Sequence, residues 1–267
     1  MTSWTRPIDS VGFIGDWDGQ VVASSVHAGH ELRPELCDAI ILDEDVRLRE
    51  EDPHTDEIAA VVPARVLTSR SRFEVDLNRP RDEAVYRTPD DCWGLDVWEG
   101  GALSDTLVRG SLEVYDEFYE RLGERLDTVA ARGPFVLLDV HSYNHRRDGA
   151  DADPEPVEDN PQVNLGTGTL DRDRFGALVD AFTAELASHD VGGEPIDVRE
   201  NVRFRGRAVA AWVHERYPGV GCCLALEFKK TFMDEWSAAV DRARMKETAR
   251  ALAATVPVLG RALGGSG

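Results

Sequence analysis

The chain has 267 residues, 42% of them apolar and 30% charged, with 30 Lys plus Arg against 50 Asp plus Glu and a formal charge of −20. That composition supports a packed core and argues against nucleic acid or an anionic membrane as the partner, because both require a cationic footprint. No apolar run approaches the roughly 18 residues that span a bilayer, and Met1 to Asp18, with Trp4, Arg6, Asp9, Asp16 and Asp18, lacks the apolar block of a signal peptide, so a cytoplasmic location is expected.

Val21 to Val26 is a short apolar strand that runs into His27. Pro34 to Ile41 and His54 to Val62 have helical character, the second with Ile58, Val61 and Val62 as its apolar stripe. Ala64 to Thr68 and Phe73 to Leu77 are expected as strands. Arg81 to Ser104 contains tryptophans and is rich in Pro, Gly and Asp, the composition of a surface excursion or site rim. Asp105 to Arg132 places Leu112, Tyr115, Phe118, Tyr119, Leu122 and Leu126 at helical spacing, and Gly133-Pro134 stops it. Phe135 to Val140 is a continuous apolar run, as in a strand buried on both faces.

Arg147 to Gln162 is an acidic, Pro-rich loop. Arg172 to His189 and Ala208 to Arg216 are further helices, Gly221 to Phe228 a second buried strand, and Ala238 to Leu263 a C-terminal helix or helix pair, with Gly264 to Gly267 a frayed end. Strands alternating with amphipathic helices predict one domain over 1–267: a three-layer α/β/α sandwich around a mixed, largely parallel sheet. Cys37, Cys92, Cys222 and Cys223 show no CxxC spacing and are expected as buried thiols. The three lysines, Lys229, Lys230 and Lys246, leave nearly all positive charge on Arg. An acidic, Lys-poor surface fits a high-salt cytoplasm, where screening removes self-repulsion; a GC-rich genome gives the same bias.

Three strand-like segments end in reactive residues: VVASSV at His27, FVLLDV at His141 and CLAL at Glu227. Two neutral imidazoles and one carboxylate, with a position left for water, make a hydrolytic zinc site. Glu227 is costly in an apolar strand unless it is exposed, ion-paired with Lys229 or Arg203, or working as a general base. In SRFEVDLNRP, Arg79 offers a bidentate fork for a carboxylate, with the Asn78 amide beside it.

These segments, in this order, resemble the N-formylglutamate amidohydrolase family, relatives of the zinc carboxypeptidases. The resemblance rests on SVHAG (Ser25 to Gly29), EDPHTDEI (Glu51 to Ile58), SRFEVDLNRP (Ser71 to Pro80), LLDVHS (Leu137 to Ser142), VNLGT (Val163 to Thr167), VRFRG (Val202 to Gly206) and LALEFKKTFMDE (Leu224 to Glu235). It implies a zinc-carboxypeptidase-like fold with one Zn2+ per chain, or another divalent ion, held by His27, Asp52 and His141. Glu31 is the rival third ligand. It implies that Glu227 is the catalytic base, that Asn78 and Arg79 grip the substrate's carboxylate, and that Arg72 and Arg203 hold a second one. His54 also fits the pattern, as a site residue or as a polar helix start.

The chain departs from the family pattern at Arg207, which adds bulk and charge where a second Gly is usual. It departs again at YNHRRDG, which makes Tyr143, His145, Arg146 and Arg147 candidates for altered substrate choice, and at Phe232, which stands where a Tyr is common. The implied activity is zinc-dependent hydrolysis of N-formyl-L-glutamate or a related N-acyl acidic amino acid. The alternative is a deacylase or carboxypeptidase-like enzyme acting on another N-acyl amino acid or a small peptide. A small anionic substrate is the expected partner.

Overall fold

The computed structural model describes residues 10–264. Trp4, Arg6, Asp9 and the tail 265–267 lie outside the described residues; Gly264 is the last residue of a helix. The strands are β1 (Val11–Ile14), β2 (Val21–Ser25), β3 (Arg65–Thr68), β4 (Phe135–Tyr143), β5 (Val163–Gly166), β6 (Asp190–Val191), β7 (Glu194–Pro195), β8 (Val198–Glu200) and β9 (Gly221–Lys229). The helices are α1 (Pro34–Cys37), α2 (Glu44–Glu50), α3 (Thr55–Ala59), α4 (Asp105–Ala130), α5 (Arg172–Ala187), α6 (Ala208–Arg216) and α7 (Arg242–Gly264).

Seven strands form one sheet in the order β1-β3-β2-β4-β9-β5-β8, while β6 and β7 pair as a separate ribbon. The pairs β3-β2, β2-β4, β4-β9 and β5-β8 are parallel; β1-β3 and β5-β9 are antiparallel. The sheet is therefore mixed and mostly parallel, as expected. All nine residues of β4 are buried, in keeping with its central place.

Side-chain alternation divides the core between the two faces. Val136, Leu138 and Val140 of β4 and Cys222, Leu224 and Leu226 of β9 pack with α3, α5 and α7. Phe135 and Leu137 of β4 and Cys223 and Ala225 of β9 pack with α4 and α6. Asp139, His141 and Glu227 follow the second parity, so they point to the α4/α6 side. A third cluster, with Phe73, Tyr86, Cys92 and Trp98, sits under the long excursion.

The long helix begins at Ser104, whose hydroxyl accepts from the Leu107 N–H, and α5 begins at Asp171, whose carboxylate accepts from the Arg174 N–H. The C-terminal segment is a single helix starting at Arg242, not at Ala238. Two other expectations contract: helix persists only over Pro34–Cys37 and Thr55–Ala59. Cys92, Cys222 and Cys223 are buried thiols, whereas Cys37 is exposed.

Phe73 to Leu77 is not a strand but a run of turns. Its alternation imitates period two, yet Glu74 and Asp76 are as buried as Phe73, Val75 and Leu77. Both carboxylates are met by side chains: Glu74 by Arg33 and Arg70, Asp76 by His27 and Arg72. With its charges satisfied locally, the segment has no need of a sheet edge.

On α6, His214 accepts from the Cys223 N–H through Nε2 at 2.9 Å, while Nδ1 lies 2.8 Å from Thr169 Oγ1. This bond requires the neutral ring, and burial lowers the pKa to about 4. The unfolded chain therefore binds the extra proton first, so stability present above pH 6.5 is lost as the pH falls through 4. This one group is expected to remove about 2 kcal/mol across that window. Urea unfolding at pH 7 and pH 4.5 should show a smaller acid loss in His214→Gln; an unchanged difference would refute the assignment.

Candidate functional site

The parallel strands β2, β4 and β9 bring their C-terminal ends together, the usual place for a ligand in an open α/β sheet. His27 lies two residues beyond β2, while His141 and Glu227 lie on the last turns of the pleat of β4 and β9. In the parallel register His141 is the Cα partner of Glu227, so both side chains leave the same face. Asp52 comes from the link between α2 and α3, and its N–H donates to the His27 carbonyl at 3.0 Å.

His27, Asp52 and His141 are all buried and form a group that could hold a metal ion. His27 Nδ1 is 3.4 Å, and His141 Nδ1 3.1 Å, from the same oxygen, Asp52 Oδ2. The opposite ring nitrogens are held by other carboxylates: His27 Nε2 is 2.8 Å from Asp76 Oδ1, and His141 Nε2 is 2.9 Å from Asp139 Oδ2. Such carboxylate–histidine pairs fix the tautomer and turn the other nitrogen towards a metal. Two imidazoles and a carboxylate, so oriented, match the donor set of a hydrolytic zinc centre. Glu31 is not part of this group; it lies in an isolated bridge to Arg70.

Asp76 and Asp139 are not among the site residues expected from the sequence. Asp139 precedes His141 by two positions on one strand, so period two alone puts both on one face. Its second oxygen accepts from Ser24 Oγ at 2.7 Å. Asp76 accepts from Arg72 Nη2 at 2.7 Å, from the Asn78 N–H at 2.9 Å and from Tyr86 Oη. No periodicity announces it, because it sits in turns.

Burial raises the Asp76 carboxyl, but Arg72, His27 and Tyr86 outweigh that and leave it well below the usual carboxylate range. Asp52 is likewise lowered, because its bonds to His141 and His27 overcome the desolvation. Desolvation opposes charge on His141, and Asp139 and Asp52 more than reverse it. Glu227 behaves differently: burial pushes it up to about 8, His141 pulls it down, and Asp52 and Asp139 add to the rise. No hydrogen bond or ion pair with Lys229 or Arg203 satisfies it; those cations point to Asn160 O and to Glu155 and Asn160 respectively.

The cavity above the group is lined by Arg72, Asn78, Trp93, Phe204, Arg207 and Lys230, among others. Asn78 Oδ1 accepts from the Val209 N–H at 3.1 Å, which leaves its Nδ2 3.2 Å from His141 Nε2. Arg72 reaches the cavity, but its guanidinium is engaged with Asp76, Tyr86 and the Glu50 carbonyl. Arg79 is not among the lining residues. Its guanidinium stacks on the Tyr86 ring at 4.6 Å and lies 5.9 Å from the ring of Trp93, which does line the cavity. Its buried Nε has no hydrogen-bond partner and lies 3.7 Å from Asp76 Oδ2, an ion pair at longer range.

Arg203 is not brought to the cavity. Its Nη1 donates to Glu155 and Asn160, at 2.7 Å each, and ties down the acidic loop. His54 occupies the cap of α3 with φ 68° and bonds Glu57 at 2.9 Å, which makes it a helix-start residue. Of YNHRRDG, Tyr143, Asn144 and Arg147 line the cavity, whereas His145 and Arg146 face Glu235 and Asp234. Phe232 is core. Lys230 is buried, its Nζ donating to the Arg49 and Glu51 carbonyls at 2.6 and 2.7 Å, and desolvation lowers its pKa to about 8.

Among solved structures, N-formylglutamate amidohydrolase from Ralstonia eutropha JMP134 superposes with a TM-score of 0.78 at 16% identity, over 97% of this chain and 100% of that one. A gene product from Agrobacterium tumefaciens gives 0.62 at 18% identity, over 96% of each chain. A weaker likeness, TM-score 0.48 at 10% identity, runs to carboxypeptidase A from Helicoverpa armigera over 94% of this chain and 63% of that one. Comparison with curated proteins found no match. Among the described residues, no helix is long and apolar enough to cross a membrane. The family model for N-formylglutamate amidohydrolase matches residues 19–233, a span holding every residue of the site, and the chain belongs to that family of amide hydrolases.

Proposed function

We propose that this chain hydrolyses the amide of an N-acyl acidic amino acid, N-formyl-L-glutamate foremost, to formate and L-glutamate, with one Zn2+ held by His27, Asp52 and His141. One observation carries the reading: two buried imidazole Nδ1 atoms converge on Asp52 Oδ2 while Glu227 stands in register beside His141. A bound zinc or similar divalent ion lowers the pKa of water towards about 7 and polarises the scissile carbonyl.

Asp76 and Asp139 keep the Nε2 protons and leave each Nδ1 lone pair for coordination. Glu227, in its desolvated position, takes a proton from the attacking water as the new C–O bond forms. It returns that proton to the nitrogen as the C–N bond breaks, a double duty suited to a pKa raised towards neutrality. Asn78, on the cavity wall, and Arg79, which has to turn from Tyr86 past Trp93 to reach the cavity, hold the α-carboxylate and so align the amide. Arg72 acts through Asp76, and Arg203 acts through the loop it ties down.

The test is turnover of N-formyl, N-acetyl and peptidyl derivatives of glutamate and aspartate by zinc-loaded and metal-stripped enzyme. Cleavage of N-formylglutamate that depends on reloading is expected. Preference for another acyl group or a short peptide would favour the second reading, which Arg147 and Arg207 on the cavity wall motivate. Binding of zinc with no turnover on the whole panel would refute both.

Two variants probe the supporting groups. Asp139→Asn is expected to weaken metal affinity about 10–100-fold, read by competition with a chelating dye. Unaltered affinity would show that Asp139 does not orient His141. Arg79→Ala should raise KM for N-formylglutamate far more than for its α-amide, because only the former offers the fork a carboxylate. Equal changes would remove Arg79 from the clamp.

A further inference from the structure

We propose that Arg207 is the residue that recognises the side-chain carboxylate of the substrate, which makes the site selective for dicarboxylic N-acyl amino acids; this rests on the hydrolase reading above. The first observation is a rigid backbone. Arg207 follows Gly206, whose φ of +87° and close approach to Ala210 and Ala225 hold the chain against β9, where an added Cβ would lie 3.3 and 3.5 Å from their side chains. Gly166 of β5 comes closer still: a Cβ there would stand 2.4 Å from the Gly206 nitrogen. On the other side, the next residue, Ala208, donates its N–H to the Asn78 carbonyl at 3.3 Å. Arg207 is thus tethered between the strand of Glu227 and the residue proposed to touch the α-carboxylate.

The second observation is an uncommitted cation. Among the described residues no hydrogen bond or ion pair engages the Arg207 guanidinium, although the side chain is exposed and lines the cavity. The neighbouring basic groups are occupied. Arg203 is bonded to Glu155 and Asn160, and Arg72 to Asp76. Arg147 also lines the cavity, at 4.0 Å from Glu155. Of the acids lining the cavity, Glu50 is 3.4 Å from Arg49, and no ion pair joins any of them to Arg207. With the amide at the imidazole pair and the α-carboxylate at Asn78 and Arg79, the substrate side chain extends along the remaining wall, where Arg207 offers a fork for a second carboxylate.

The experiment compares kcat/KM for N-formylglutamate with that for N-formylglutamine, which has the same shape and a neutral side chain, in wild type, Arg207→Gln, Arg207→Lys and Arg203→Gln. Wild type is expected to favour the glutamate derivative. Arg207→Gln should shrink that preference at least tenfold through KM, and Arg207→Lys should recover part of it. Calorimetric titration with glutarate, a dicarboxylate that undergoes no turnover, should show the same ranking. A wild type indifferent to the side-chain charge, or a preference that survives Arg207→Gln but collapses in Arg203→Gln, would overturn the proposal. If no N-formyl amino acid is cleaved and yet glutarate binding depends on Arg207, the hydrolase reading fails and the subsite stands.

Discussion

Replacing Glu227 by Gln is expected to lower kcat about a thousandfold, within the range of 10² to 10⁴ for a lost general acid–base group, while metal content and melting temperature stay near wild type. The reason lies in the local chemistry. Glu227 is half-buried at the cavity and register-paired with His141, and desolvation raises its carboxyl to about 8 without the compensating ion pair that a structural acid would have. Gln has the same shape and satisfies the same space, but it cannot shuttle a proton. Steady-state kinetics with metal analysis of the same preparation decide the matter. Undiminished turnover would take Glu227 out of the mechanism, and loss of metal would recast it as a ligand.

Removal of His141 should have the second large effect. His141→Ala is expected to reduce bound zinc to below a tenth of the wild-type content after dialysis and to abolish turnover, because one of three donors disappears and Asp52 loses a partner at 3.1 Å. The same change leaves Asp139 without its 2.9 Å partner in the sheet interior, so some loss of stability accompanies it. Asp52→Asn separates the two consequences, because it keeps shape and hydrogen bonding but forfeits a charged donor. It should also deplete metal while melting closer to wild type. Full metal occupancy in both variants would place the ion elsewhere.

The central sheet and the three-helix and two-helix layers were legible because long apolar runs such as Phe135 to Val140 and long periodic helices such as Asp105 to Ala130 report their own environment. The short strands β1, β5 and β8 were not: three or four residues carry too little periodicity to announce a strand. His27, His141 and Glu227 stood out because each is a polar residue ending an apolar strand. Asp139 lay within the same reasoning, two positions from His141. Asp76 was hidden by an alternation that implied a strand, whereas burial of both parities and side-chain pairing produced turns. Arg203 could not be placed from sequence, since its partners, Glu155 and Asn160, lie more than forty positions away and are chosen by folding.

The pairing of His141 with Glu227 across β4 and β9 has a consequence for how this enzyme fails under stress. Neighbouring strands stand about 4.8 Å apart, and a slip of one residue would turn Glu227 to the opposite face. On the proposed mechanism, catalytic competence is thereby tied to the protected middle of the sheet rather than to a pliable surface segment. Heat inactivation should coincide with amide exchange at the middle of the sheet, with no preceding phase in which an intact protein has quietly lost its chemistry.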